Sequence, residues 1–380
     1  MIKGNGNKYL RPAYLEIDLK VLAANVRNIK RRLGKKAELL AVVKADGYGH
    51  GSCEVSRVAL KNGAGSLGVA FLEEGIELRE NGIKTPILIL SPEFYGREKE
   101  LIEYDLQTAI ADLDFVENLN REAKKQNKIA EVYLKIDTGM RRYGIEPSSA
   151  LEFVRVVQKL KNIRFKGVLS QFSTTEDTDK DFAEKQLYLF KKAVKQLLEE
   201  LNGDRLVRSI ANSGAFLKLP QSYFDQVRVG ILMYGVYPSP KMVKRLEVNP
   251  VMSLKSRIVQ IKEVQKGESV GYGRTFITKR RTKIGTIPLG YADGYPWQLS
   301  NRGEVLVKGK RVPIIGRICM DAFMIDLTAL KDVKTGEEVV LLGKQGKEKI
   351  EAHQIAGWAN SFSYEIVSRM GKRLPRVYFK

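Results

Sequence analysis

Short apolar runs alternate with amphipathic stretches through the first two-thirds of this 380-residue chain. That alternation limits the fold more than any other feature. The apolar runs lie at residues 39–44, 66–71, 86–90, 107–111, 131–136, 165–170, 207–211 and 226–232. Strands this continuously apolar are buried on both faces, as in a parallel sheet. Helical spacing fills intervals between them, at 73–80, 116–125, 149–159 and 182–201. A first helix precedes the series: Asp18 can cap it, Leu19, Leu22, Val26, Ile29 and Leu33 repeat at three-and-four spacing, and Gly34 can close it. Eight strands with intervening helices over roughly 220 residues predict a (β/α)8 barrel, usually about 250 residues long. An open doubly wound sheet competes, but no Gly-x-Gly-x-x-Gly follows the first strand.

Near residue 245 the pattern changes. Alternating segments at 256–261, 283–287, 304–307 and 338–342 are separated by turns such as Lys-Gly-Glu and Lys-Gln-Gly-Lys, and a helix is predicted at 353–361. The reading is an α/β chain: an N-terminal TIM-like barrel over 1–245 and a C-terminal mostly-β domain over 246–380. Cys53 and Cys319 are the only cysteines, and His50 and His353 the only histidines, so no metal site is expected. No apolar run reaches membrane-span length, and the first ten residues lack the apolar core of a signal peptide, so a cytoplasmic protein with no membrane partner is expected. The formal charge of +21 raises nucleic-acid binding. The basic residues are dispersed, without interleaved aromatics or a nucleic-acid motif, and read as a solvated surface that attracts small anions.

A barrel gathers its chemistry at the carboxyl ends of its strands. Strand one delivers Lys44, followed by Ala45-Asp-Gly-Tyr-Gly-His-Gly51. An amine among apolar walls is partly neutral near neutrality and can act as a Schiff-base nucleophile or a base; equally, a strand-end lysine can simply leave for solvent. Tyr48 and the glycines around it could close on a phosphate. Strand five ends in Lys135-Ile-Asp-Thr-Gly-Met-Arg-Arg142, strand six runs into Gln171, and strand seven into Ala211-Asn-Ser213. Strand eight carries Arg228-Val-Gly230-Ile231. Ser213, Gly230 and Ile231 thus occupy the loops where barrels commonly bind phosphate.

These stretches, with Val270-Gly-Tyr-Gly273, Pro288-Leu-Gly-Tyr-Ala-Asp-Gly294, Gly316-Arg-Ile-Cys-Met-Asp321 and Ser363-Tyr-Glu365, resemble alanine racemase over nearly the whole chain. That family pairs a barrel with a β domain and uses pyridoxal 5'-phosphate. The resemblance implies that Lys44 binds the cofactor covalently, that Tyr48, Ser213, Gly230, Ile231 and Tyr364 hold its phosphate, and that Arg228 faces the pyridine nitrogen. An arginine there keeps the nitrogen unprotonated and the ring a weaker electron sink. It further implies two bases, Lys44 for D-alanine and Tyr272 for L-alanine. A phenol's ordinary pKa of about 10 must fall for that task, which nearby positive charge such as Arg228 favours. Tyr272, Met320 and Tyr291 would come from the partner in a homodimer. Arg142 would bind the substrate carboxylate, oriented by a carbamylated Lys135, because two adjacent cations repel unless an anion bridges them. The implied activity is interconversion of L- and D-alanine for peptidoglycan. The alternative is a racemase preferring serine, lysine or ornithine.

Three positions depart from the usual family pattern: Gln171 and Ser209 stand where many relatives have histidines, and Arg141 replaces a small or neutral residue. Arg141 adds a cation beside Arg142 and bears on substrate preference. The expectation is the same chemistry at lower turnover. Placing imidazoles at both sites, Gln171→His with Ser209→His, is expected to raise kcat; an unchanged value would count against it.

Overall fold

The computed structural model describes residues 11–92, 96–175, 180–201, 205–243 and 245–380; the apolar-poor first ten residues lie outside it. In chain order the strands are β1 Tyr14–Asp18, β2 Glu38–Val42, β3 Ser66–Val69, β4 Ile87–Pro92, β5 Gln107–Ile110, β6 Ala130–Lys135, β7 Ile163–Leu169, β8 Val207–Ser209 and β9 Gln226–Val229. Strands β2 to β9 form one all-parallel sheet in the order β8-β7-β6-β5-β4-β3-β2-β9. This is the predicted barrel, curled nearly to closure. Side chains draw the β8–β9 seam together: Ser209 donates to the Gln226 carbonyl at 3.0 Å, and Arg208 grips the Asp225 carboxylate through Nε at 2.6 Å. Across the same seam the Arg228 N–H donates to the Ala211 carbonyl at 3.0 Å.

Inside the barrel, Leu40, Val42, Leu88, Ala109, Tyr133 and Leu169 form their own apolar cluster, while the opposite strand faces pack on the helices. The first helix runs Leu19–Leu33; Asp18 accepts from the N–H groups of Lys20 and Val21 at 2.9 Å, and Gly34 ends it at φ 66°. It buries the predicted apolar stripe and also Asn25, whose amide donates to the Met233 and Asn249 carbonyls. That polar pair ties the helix to the connection between the two units.

The remaining strands are β10 Met252–Arg257, β11 Gln260–Val264, β12 Ser269–Val270, β13 Phe276–Ile277, β14 Thr282–Ile287, β15 Glu304–Val307, β16 Lys310–Ile315, β17 Phe323–Asp326, β18 Glu338–Gln345, β19 Glu348–Ile350 and β20 Arg376–Phe379. The run at 256–261 thus divides between two strands, β10 and β11. The predicted helix at 353–361 is Ala352–Ala359, stopped by Asn360 in the left-handed conformation. Strand β1 carried no recognised signal. It pairs antiparallel with β10 and parallel with β20, so a segment that chain order puts in the barrel half completes the second sheet. Its partners lie more than 230 residues downstream, beyond the reach of local pattern. Among the described residues no helix is long and apolar enough to cross a membrane.

Candidate functional site

Because β2 to β9 are parallel, their carboxyl ends share one rim. After β2 the chain enters a left-handed turn: Ala45, Asp46, Gly47 and Tyr48 have φ of 52°, 52°, 60° and 53°. Left-handed residues other than glycine cost roughly 1–2 kcal/mol each. Such a turn persists only where its surroundings over-determine it. Here Gly47 and Gly49 donate back to the Val43 and Ala45 carbonyls at 2.8 and 3.0 Å. Glu74 accepts from the Ala45 N–H at 2.6 Å, and Asp46 accepts from the Ser52 N–H at 2.9 Å. Arg376, from β20 of the other unit, pairs with Asp46 at 3.0 Å and donates to the Gly49 carbonyl at 3.0 Å. The second unit therefore clamps the turn that presents Lys44.

Four cations converge here. Burial lowers the Lys44 amine from its usual value, Arg142 and Arg228 lower it further, and Glu74 opposes them. Lys135, 6% exposed, is lowered to about 7 by burial and then by Arg228, Arg142 and Lys44. Its amine donates to the Leu90 carbonyl, and among the described residues no carboxylate forms an ion pair with it. The Tyr143 ring lies 5.5 Å from the Lys135 Nζ and 5.6 Å from the Arg142 guanidinium, an aromatic face shared by two cations. Among the described residues Arg228 is buried against neutral partners: the Ser209 hydroxyl at 2.8 Å and the Ser170, Gln171 side-chain and Ile210 carbonyl oxygens at 2.6, 3.0 and 3.4 Å. Desolvation lowers it to about 10. Two of the three departures noted in the sequence, Ser209 and Gln171, therefore hold this guanidinium. Arg141 is turned to Glu146 and lies 3.9 Å from Asp137, so acidic neighbours offset its charge.

Beside the cations lies a narrow cradle. The Gly230 N–H donates to the Ser213 hydroxyl at 3.1 Å, and a Cβ added to Gly230 would lie 2.5 Å from the Tyr48 phenol oxygen. Only glycine admits that approach. Ile231 is buried next to it, and the Tyr364 ring lies 6.4 Å from that of Tyr48. Hydroxyl and backbone donors beside the Arg228 guanidinium suit a phosphate, and a lysine biased towards the free amine suits an aldehyde, so these residues fit pyridoxal phosphate.

Tyr272, Met320 and Tyr291 lie elsewhere. Tyr272 sits between β12 and β13 and is 72% exposed; Met320 and Tyr291 are 52% and 42% exposed. All three border the 316–321 loop: Tyr291 and Ala292 donate to the Cys319 and Met320 carbonyls at 3.1 Å, and Gly316 closes on the Val270 carbonyl. Among the described residues, no hydrogen bond or ring contact joins them to Lys44 within the chain. Sequence reading missed Glu74, Tyr143 and Arg376. Glu74 has a helix-start position as its only signal, Tyr143 has only its nearness to Arg142, and Arg376 has none.

The chain matches the profile of the alanine racemase N-terminal domain over residues 17–238 and that of the C-terminal domain over 251–378. It is 42% identical to an alanine racemase of Halothermothrix orenii over 371 residues, covering 97% of each chain. The structure superposes on that of an alanine racemase from a D-cycloserine-producing Streptomyces lavendulae with a TM-score of 0.93 at 36% identity, covering 98% of each. It also resembles a Bartonella henselae alanine racemase with covalently bound pyridoxal phosphate, at a TM-score of 0.87 and 29% identity, covering 97% of this chain and 99% of that one.

Lys135 yields a pH test. Its folded value of about 7, against the usual 10.5, means the unfolded chain binds the extra proton between those limits. Stability linked to this amine therefore rises with pH through that window. With no ligand or carbon dioxide added, the urea midpoint of the parent chain is expected to climb relative to that of Lys135→Met between about pH 7 and about pH 10. Parallel profiles would contradict the assignment.

Proposed function

This chain belongs to the alanine racemase family, and from that premise we propose that it interconverts L-alanine and D-alanine with pyridoxal 5'-phosphate, using Lys44 and Tyr272 as its two bases. The observation that carries the reading is Arg228: a buried guanidinium with only neutral partners among the described residues, at the same rim as a lysine biased towards its free amine. In this reading Lys44 holds the cofactor, and Tyr48, Ser213, Gly230, Ile231 and Tyr364 hold its phosphate. When bound, the cofactor supplies an electrophilic carbon for amines and a ring that withdraws electrons from the substrate's α-carbon.

This chain's residues then divide the labour. The Lys44 amine would hold the cofactor at rest and, once free, would take or return a proton at one face of the substrate's α-carbon. Tyr272 of the partner subunit serves the opposite face in a homodimer. Its exposure supports that role, as do the exposed Met320 and Tyr291 beside it: apolar and aromatic groups clustered on a surface favour burial in an interface. A side chain arriving at the rim meets the positive charge of Arg228 and Arg142, the two guanidinium groups that also act on Lys44. Arg228 disfavours a further proton on the ring nitrogen, which restricts the reaction to proton exchange. Arg142 binds the substrate carboxylate. We take the setting to be the cytoplasm and the product's use to be peptidoglycan, in keeping with two unpaired cysteines and the family's chemistry.

Lys135 is proposed to be carbamylated. A free amine adds to carbon dioxide, forming an N–C bond and releasing one proton to solvent, and the resulting anion bridges towards Arg142. The lowered amine value and the missing carboxylate partner support this. Protein equilibrated with isotope-labelled bicarbonate is expected to show a carbamate carbon signal that Lys135→Ala lacks; no signal would refute it.

A coupled assay of L-alanine to D-alanine conversion, with serine, lysine and ornithine as comparison substrates, tests the activity. Lys44→Ala is expected to abolish turnover and the visible absorption of lysine-bound cofactor. Tyr272→Phe is expected to keep the absorption while losing about 100-fold or more in the L-to-D direction. Full activity in either variant would refute the two-base assignment.

A further inference from the structure

The two histidines of this chain, at opposite ends of the sequence, line one cavity. It lies between the connection following the barrel and the β18–β19 hairpin of the second unit, with a volume of about 790 Å³, within the usual range for small-molecule sites. It shares no residue with the Lys44 and phosphate-cradle set described above. Its walls include Tyr237, Val248 and Met252.

The polar groups are sorted by side. On the barrel side His50 is fully buried, and its Nδ1 lies 3.0 and 2.9 Å from the Gly47 and Tyr48 carbonyls. Two carbonyls can only accept, so Nδ1 carries the proton and Nε2 is an acceptor. Burial lowers His50 to about 4, so the ring is neutral at pH 7. Nε2 is buried and has no hydrogen-bond partner among the described residues. Glu247, also on the barrel side, is a second acceptor. On the hairpin side Lys344 and Lys349 stand directly opposite in register, a repulsive placement unless negative charge lies near. Glu351 pairs with Lys349 at 3.0 Å and lies 3.9 Å from His353, whereas Lys344 has no carboxylate partner among the described residues.

We propose that this cavity is a second binding site, for a small carboxylate with an apolar middle and a hydrogen-bond donor at its far end. The carboxylate meets Lys344, the middle lies along the aromatic and aliphatic walls, and the donor reaches His50 Nε2. Occupancy would be felt at the Lys44 turn. His50 holds two of that turn's carbonyls, and its ring stacks on Tyr234 at 4.4 Å. Tyr234 in turn donates to the Val42 carbonyl at 3.1 Å and lies 5.2 Å from the Tyr48 ring.

The probe is 4-hydroxyphenylacetate, titrated calorimetrically into the cofactor-loaded enzyme with saturating alanine present. One saturable site per chain is expected, weakened about fivefold by Lys344→Glu, as befits one exposed charge contact replaced by a like charge. Val243→Trp, which fills the groove from an exposed lining position, is expected to weaken it at least as much. Neither residue belongs to the Lys44 site, so basal turnover should hold in both. Absence of saturable binding, or competition with alanine at an affinity blind to both substitutions, would overturn the site. The effect on the turn rests on the proposed role of Lys44 and is read separately: the bound acid should change kcat without changing the KM for alanine, and an unchanged kcat would overturn the coupling while binding reports on the site alone.

Discussion

One buried guanidinium organises this molecule. Arg228 sits where the parallel ladder of the barrel is incomplete, between β8 and β9, and bonds to Ser209, to the Ser170 carbonyl and to Gln171. It thereby helps close the barrel while fixing a positive charge at the rim that no carboxylate among the described residues neutralises. A buried charge normally takes an opposite partner or is not retained. Here neutral oxygens accept from both terminal nitrogens of the guanidinium but leave its field in place. That field, with burial, biases Lys44 and Lys135 towards their neutral forms.

The same economy of contacts appears in the turn that presents Lys44. Successive left-handed residues are unstable in isolation, and local sequence supplies glycine at only one of the four positions from Ala45 to Tyr48. The rest of the stabilisation comes from far along the chain. Glu74 accepts from one end of the turn, and Arg376, near the C-terminus, grips Asp46 and Gly49. Strand β20 carries Arg376 and is held by β1, the strand immediately before the first barrel helix. The second unit is thus part of the support of the rim, in addition to carrying Tyr272.

The contrast between Lys44 and Tyr272 shows how the two halves differ. Lys44, Arg228, Ser213 and Gly230 are brought together within one barrel because parallel strands end on one side. Tyr272, Met320 and Tyr291 are brought together too, but on an exposed ridge around the 316–321 loop. Among the described residues no contact joins the lysine at the rim to the tyrosine on the surface within the chain, and for that reason the proposed chemistry calls for a second copy of the chain.

Much of this was legible in the chain alone. Periodicity located the barrel strands to within a few residues and the first helix with both caps, because burial on both faces demands continuous apolar runs and helix ends demand capping groups. Strand ends then singled out Lys44, Lys135, Ser213, Arg228 and Gly230. What only the tertiary structure decided were relations between distant residues. Among these are the membership of β1 in the second sheet, the Arg376 clamp, the Tyr143 ring shared by Lys135 and Arg142, and the meeting of His50 with His353 around one cavity. Local sequence encodes periodicity and turn chemistry, whereas these contacts depend on how separately specified elements pack, and no local pattern records that.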